Sequence, residues 1–287
     1  MFGPNTYFKD NVNICFSHRD QVFFDLFQRV NDLFVEKFGL QDYDVLFIPG
    51  SGTIGIESTF FSMDYNLSFI GNEGTFRDRL CQLYSNYEKN HKRGEKAEMF
   101  VRLETSISRS FEKEGCLMDC ISAFPYYSIP KDTKLFVTCL NKQIGSYVGL
   151  SVVCVRKDQW KHCIDEKVFS YLNLRRYQAY LLQHQTPHTT PTFIYEHLLK
   201  VLLDFNTDAH REKINKVSQL ICNNVPEEYI IGEKQCPVIT VKKDAFSDEV
   251  AKRFDLYGYW TGKPCYQFFT YTQPYQDYVD FFNAIKK

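Results

Sequence analysis

Apolar positions along the chain recur with two periods, and the switching between them predicts most of the elements. In "DQVFFDLFQRVNDLFVEKFG", Phe23, Phe24, Phe27, Val30, Leu33 and Phe34 fall at helical spacing and the run stops at Gly39, which predicts an amphipathic helix with a glycine end. "DVLFIPGSGTIGIESTFFSM" reads as a short apolar strand, a Gly/Pro/Ser turn and a helix beginning near Thr53. "NLSFIG" followed by "NEGTFRDRLCQLYSNYEKN" repeats that order, the cadence of an α/β sheet. The runs "AEMFVRLET", "GCLMDCISAF", "KLFVTCLNK" and "VGLSVVCVRKD" are apolar on both faces, as inner strands covered on both sides must be. "FIYEHLLKVLL", entered through "TPHTTPT", predicts a long helix placed to bridge two domains. Beyond it, a helix ("AHREKINKVSQLICNN"), two strands ("CPVITV", "YQFFTYT") and a closing helix ("QDYVDFFNAIKK") form a small α+β unit. The expected division is an N-terminal arm (1–18), a large domain (19–207) and a small C-terminal domain (208–287).

Charge and cysteine content narrow the class of function. Lys and Arg number 34 against 35 Asp and Glu in 287 residues, so no net field draws the protein to nucleic acid or an anionic membrane, and small molecules are the expected ligands. No apolar stretch is long enough to span a bilayer, and "MFGPNTYFKDN" lacks the layout of a signal peptide, so a soluble cytoplasmic protein is expected. The ten cysteines show no C-x-x-C pairing, and Cys139 and Cys154 sit inside apolar runs. Reduced core thiols follow, with neither a disulfide framework nor a metal site.

The polar residues that interrupt the strand ends carry the chemistry. Lys142 lies between two apolar runs, Asp119 ends another, Ser51, Gly52 and Thr53 separate a strand from a helix, and Glu104 and Thr105 close a third strand. Ligands of open α/β sheets bind at the carboxyl ends of the strands, so these groups are expected to converge on one pocket.

The motifs "LFIPGSGTIGIES", "GNEGTF", "LETS", "MDCISAF", "NKQIGSYVG" and "HTTP" occur in this order, and through them the chain resembles the class V aminotransferases. These are pyridoxal-phosphate enzymes of fold type I, and the likeness is greatest to the 2-aminoethylphosphonate and alanine-glyoxylate branches. It runs from His18 and Arg19 into the small domain. The resemblance implies a mainly parallel central sheet flanked by helices and a homodimer with shared active sites. It makes Lys142 the Schiff-base lysine and Asp119 the partner of the cofactor's pyridine nitrogen. Ser51, Gly52 and Thr53 resemble its phosphate cup, Phe76 the aromatic stacked on its ring, and Thr105 and Ser122 polar residues near the ring. Asn141 falls where the family often places a polar group at the phosphate, and His188 and Thr189 resemble the segment that reaches the neighbouring subunit's phosphate.

Two departures stand beside the likeness. The stretch between Phe76 and Asp119 is short, as if one βα unit were trimmed. Gln267 falls where the family places the arginine that grips the substrate carboxylate, which leaves Arg19, Lys263 and Arg253 as cations for that task. The implied activity is transfer of an amino group from an amino acid or amine, an aminophosphonate included, to a keto acid or aldehyde. A lyase or desulfurase is the same-cofactor alternative, disfavoured because Asn141 and Phe76 stand where desulfurases carry histidines. A non-catalytic binding protein on this fold, and a nucleotide-binding protein using "GSGTIG", are the remaining readings.

Overall fold

The computed structural model describes residues 17–88 and 94–285. Most of the expected N-terminal arm therefore lies outside the described residues. The first helix, α1 (Gln21–Phe38), buries Phe23, Phe27, Val30 and Phe34 along one face. It ends on Gly39 at φ 66°, where the absence of a Cβ lets the chain turn left-handed and its N–H reach the Glu36 carbonyl.

The chain then runs through β1 (Tyr43–Pro49), α2 (Gly52–Ser62), β2 (Tyr65–Phe69), α3 (Thr75–Ser85), β3 (Glu95–Val101), β4 (Leu103–Glu104), β5 (Arg109–Ser110), β6 (Leu117–Asp119), β7 (Leu135–Cys139) and β8 (Leu150–Arg156). Six of these strands form one sheet in the order β1-β8-β7-β6-β3-β2. Pairing is parallel from β2 through β3 and β6 to β7, while β8 is antiparallel to both β7 and β1. Only β8 runs against the rest, so the carboxyl ends of β1, β6 and β7 lie on one edge. The four runs that read as doubly buried, β3, β6, β7 and β8, are the inner strands.

Successive residues of these strands feed opposite faces, as the two-residue period requires. Phe47, Met118, Phe136, Val152 and Cys154 pack with α1, whereas Leu46, Leu117, Val137, Val153 and Val155 pack with residues of α2 and α3. Full burial of such side chains stabilises the fold by about 1.5–3 kcal/mol each. The second face is completed by α4 (Leu174–Leu181) and the first by α5 (Thr192–Asp204), which lies against α1.

Two expectations change in detail, and the expected trimming of a βα unit takes the form of a hairpin. The run "GCLMDCISAF" yields only a three-residue strand, because the Ile121 N–H donates to the Asp119 carboxylate at 2.9 Å and turns the chain away. The link from β3 to β6 is the β4–β5 hairpin, with no helix among its residues. The helix expected to bridge the domains, α5, buries its apolar face wholly in the first core. The bridging role falls to α6 (Thr207–Asn224), which contributes Ile214 to that core and Val217 and Ile221 to a third.

That third core lies between α6, a small antiparallel sheet and two further helices. The sheet is β9 (Ile230–Ile231), β10 (Val238–Lys242) and β11 (Cys265–Phe269), and the helices are α7 (Asp248–Arg253) and α8 (Tyr275–Ile285). Ile239, Val241, Tyr266 and Phe268 face the third core, while Val238 and Phe269 of opposite parity join the first. The small sheet is thus packed against the large one through its other face. Among the described residues no helix is long and apolar enough to cross a membrane.

Candidate active site

The common edge of β1, β6 and β7 opens into a cavity of about 200 Å³. Ser51, Gly52, Thr53 and Phe76 line it on the side of α2 and α3. Asp119, Ser122, Asn141 and Lys142 line it at the ends of β6 and β7. Eight of the residues singled out in the sequence therefore meet in one place.

At the α2 start, Ser51 is the N-cap residue but its hydroxyl makes no capping hydrogen bond, and the first turn holds no acid. Ile54 N–H is satisfied by the Ser51 carbonyl at 2.9 Å, while no hydrogen bond among the described residues uses the N–H of Gly52 or Thr53. Unpaired donors at the positive end of a helix make a site for an anion. Gly52 is needed for close approach: a Cβ there would lie 2.5 Å from Ile121 Cδ1, in the loop that follows Asp119.

Asp119 is 7% exposed. Burial pushes its carboxyl up to about 6. The Ile121 N–H opposes that shift, the charge of Glu104 adds to it, and Arg79 and Lys142 oppose it. Lys142 occupies a wide turn, Leu140–Ile144, in which its own backbone is non-helical at φ −87°, ψ −119°. Burial draws its ammonium below the usual lysine range; the Cys139 thiol opposes this and Lys263 adds to it. Lys142 Nζ lies 5.6 Å from the Phe269 ring centroid, so the small sheet reaches the lysine.

Two side chains that pattern reading missed, Gln143 and His210, hold this geometry together with Glu104, which it had singled out but which does not line the cavity. Gln143 is buried and ties the lysine turn to the Asp119 loop: its Nε2 donates to the Ser122 carbonyl at 2.6 Å, and its Oε1 accepts the Tyr126 N–H at 3.2 Å. His210 of α6 lies 3.2 Å from the same Oε1. Burial drops that imidazole to about 4, so it is neutral and its Nε2–H donates. Glu104, fully buried, caps α3 by accepting the N–H groups of Phe76 and Arg77 at 3.0 and 3.1 Å. The N-cap position itself is Gly74, where a Cβ would come 2.4 Å from Glu104 Cγ. A glycine at a helix start, with no side chain of its own to offer, was the available signal for such a remote cap.

Other expected site residues lie elsewhere. Thr105 is buried away from the cavity, and its carbonyl accepts from Thr240 Oγ1 at 3.1 Å and from Gln267 Nε2. Gln267 is 4% exposed and also accepts from Lys263 Nζ at 3.3 Å, so it joins the hairpin region to the small sheet. Arg19 donates to Gln185 Oε1 at 3.0 Å and lies over the Tyr180 ring; Lys263 lies over Tyr257 and Arg253 over Phe254. None of these cations lines the cavity. Thr189 is exposed and off the cavity, whereas His188 is buried and stacked on Tyr171 with centroids 3.8 Å apart. Besides Lys142, the basic residue that lines the cavity is Arg79 of α3, which the sequence reading passed over.

A larger hollow of about 590 Å³ runs past the end of α1, but Lys37, Arg156 and Arg211 along it are already bonded to Phe205, Asp132 with Asp158, and Tyr126. It offers no comparable grouping of reactive side chains.

No family model and no curated protein matches the chain. Solved structures do. An aspartate aminotransferase of subgroup IV from Thermus thermophilus is 13% identical, with a TM-score of 0.80 over 99% of this chain and 97% of that one. A phosphoserine aminotransferase from Cytophaga hutchinsonii is 15% identical, with a TM-score of 0.77 over 96% and 91%. An alanine–glyoxylate aminotransferase from Nostoc sp. is 15% identical, with a TM-score of 0.75 over 96% and 90%. The architecture is that of fold type I, as the motif resemblance led us to expect.

Proposed function

We propose that the chain is an aminotransferase that uses pyridoxal phosphate and moves an amino group from an amino acid or amine to a keto acid or aldehyde. The observation that carries this reading is the meeting of Lys142 and Asp119 on a cavity that also receives the uncapped start of α2.

The residues present fit the cofactor. The N–H groups of Gly52 and Thr53, with the hydroxyls of Ser51 and Thr53, offer donors and no carboxylate to a phosphate dianion. Phe76 and Ile121 give apolar walls for a flat ring. Asp119 is the buried carboxylate for the ring nitrogen, and Lys142 the amine for the aldehyde. When bound, the cofactor supplies an electron sink for negative charge at the substrate carbon attached to nitrogen.

The protein's own groups then divide the work. Desolvation disfavours the ammonium form of Lys142, so the neutral amine, able to attack a carbonyl or accept a proton, is more populated than on an exposed lysine. Lys142 Nζ, on the cavity wall, would be the group placed to accept the proton from the substrate carbon attached to nitrogen and to give it back. The Asp119 carboxylate would hold a proton on the ring nitrogen when the cofactor is bound. Gln143 keeps the two in register by binding the Lys142 turn to the Asp119 loop. Glu104 fixes the helix start that presents Phe76.

We further propose a cytoplasmic homodimer of large (19–207) and small (208–287) domains. In it the exposed Thr189, on a segment steadied by the stacking of His188 on Tyr171, faces the neighbouring subunit. Sedimentation of wild type and Thr189→Arg tests this: the wild type is expected as a dimer, and a wild-type monomer would end the proposal.

The test of the main reading is the visible absorption of the purified protein with pyridoxal phosphate, before and after a panel of amines. A yellow band that depends on Lys142 and bleaches with a donor supports transamination. A band that resists every donor favours a non-catalytic binding protein, and equal spectra for wild type and Lys142→Ala would remove the cofactor assignment.

A further inference from the structure

The reading above leaves open what holds the donor, since Gln267 is bonded to Thr105 and Lys263 and does not reach the cavity. We propose that Arg79 recognises an anionic group on the donor, so that the amine handled here carries a carboxylate or a phosphonate; this rests on the aminotransferase reading.

Four observations lead there. Arg79 is the one arginine among the described residues that lines the cavity. Its guanidinium makes no hydrogen bond, ion pair or ring contact among the described residues, so all five of its donors are uncommitted. It lines the cavity yet remains exposed, which puts it where the cavity meets solvent and a substrate enters. It also stands one helical turn after Phe76, on the same flank of α3 as Leu80 and Leu83, which line the cavity too.

The contrast with its neighbour sharpens the assignment. Arg77, on another flank of α3, donates to the Phe69 carbonyl at 3.2 Å and serves the fold. Arg79 has no such task. Charge balance points the same way: an ionised Asp119 repels an incoming anion, and Arg79, whose positive charge is felt at Asp119, offsets that repulsion. A planar guanidinium suits both carboxylate and phosphonate oxygens, through paired hydrogen bonds that a neutral amine cannot make.

The inference is tested with probes that cannot react. Saturation-transfer NMR on the full chain saturated with pyridoxal phosphate, which occupies the α2 start, measures binding of propionate, ethylphosphonate and uncharged propionamide to wild type, Arg79→Gln and Arg79→Lys. Wild type is expected to bind at least one anion, Arg79→Gln to bind it about 10- to 100-fold more weakly, and Arg79→Lys to fall between. Propionamide should not distinguish the three proteins. The relative strength of propionate and ethylphosphonate then separates a carboxylate donor from a phosphonate donor. Anions that bind wild type and Arg79→Gln equally, or do not bind wild type, overturn the inference. So does a folded Arg79→Gln protein that has lost the pyridoxal-phosphate band, since Arg79 would then serve the cofactor. A wild type that never forms that band counts against the aminotransferase reading instead, while the anion measurements still report on Arg79.

Discussion

The turns after β6 and β7 and the small sheet of β10 and β11 both bury polar side chains, yet they use them differently. At the turns, Asp119 and Lys142 are buried enough for their ionisation to be displaced, and both line the cavity. On the small sheet and the turn that enters β11, Gln267, Thr240 and Lys263 are bonded to one another or to Thr105, and what reaches Lys142 is the apolar ring of Phe269. The first region keeps its polar groups available for a ligand, and the second uses them to hold two parts of the fold together. Residue type alone did not distinguish the two; the partner of each group did.

The comparison is broken most directly at Lys142. Lys142→Ala should lower turnover by about 1,000-fold or more and abolish the visible band, whereas the fold, measured by circular dichroism, is retained. Substitution on the small sheet should do the reverse. Glu104→Ala lies between the regions: it removes the acceptor of two helix N–H groups and should cost about 2–3 kcal/mol in urea unfolding, with weaker cofactor binding because Phe76 is no longer fixed.

Asp119 offers a test through pH. Its carboxyl is displaced from the usual 3.8 up to about 6, chiefly by burial, so the native protein binds this proton more tightly than the unfolded chain. Stability of the protein without cofactor should therefore be highest for this group below about pH 4 and fall as pH rises through 6, by on the order of 2–3 kcal/mol. Asp119→Asn should remove that fall. Urea titrations of both proteins between those pH values check it; parallel curves would mean that Asp119 is solvated like an ordinary surface carboxylate.

The smallest effect on chemistry is expected at Gln267. Gln267→Leu leaves the Thr105 carbonyl with one fewer donor and should cost about 1–3 kcal/mol of stability, while KM for an anionic donor stays within about twofold of wild type. Steady-state kinetics beside thermal unfolding separates the two. A large rise in KM at unchanged stability would return Gln267 to the substrate site.

How much of this was legible follows from the range of the interactions concerned. The α1 face, the inner strands β7 and β8, and the glycine stop at Gly39 depend on local spacing and were readable. Lys142 and Asp119 stood out because each interrupts the end of an apolar run, and sheet topology brings strand ends together. The engagement of Gln267 was not readable, because its partner Thr105 lies 162 positions away. Arg79 looked like any exposed helix arginine, and only the docking of α3 beside the cavity distinguishes it from Arg77. The shortness of β6 depended on a carboxylate accepting a hydrogen bond from the backbone two residues on, which hydrophobic periodicity does not register.

The central claim is that Lys142 is the residue that takes the cofactor. Borohydride reduction of the protein with pyridoxal phosphate, followed by proteolysis and peptide mass spectrometry, tests it at residue level. The account predicts one dominant adduct on Lys142, at a one-to-one ratio to chain and absent when the cofactor is withheld. Adducts spread over exposed lysines with Lys142 unmodified would contradict it.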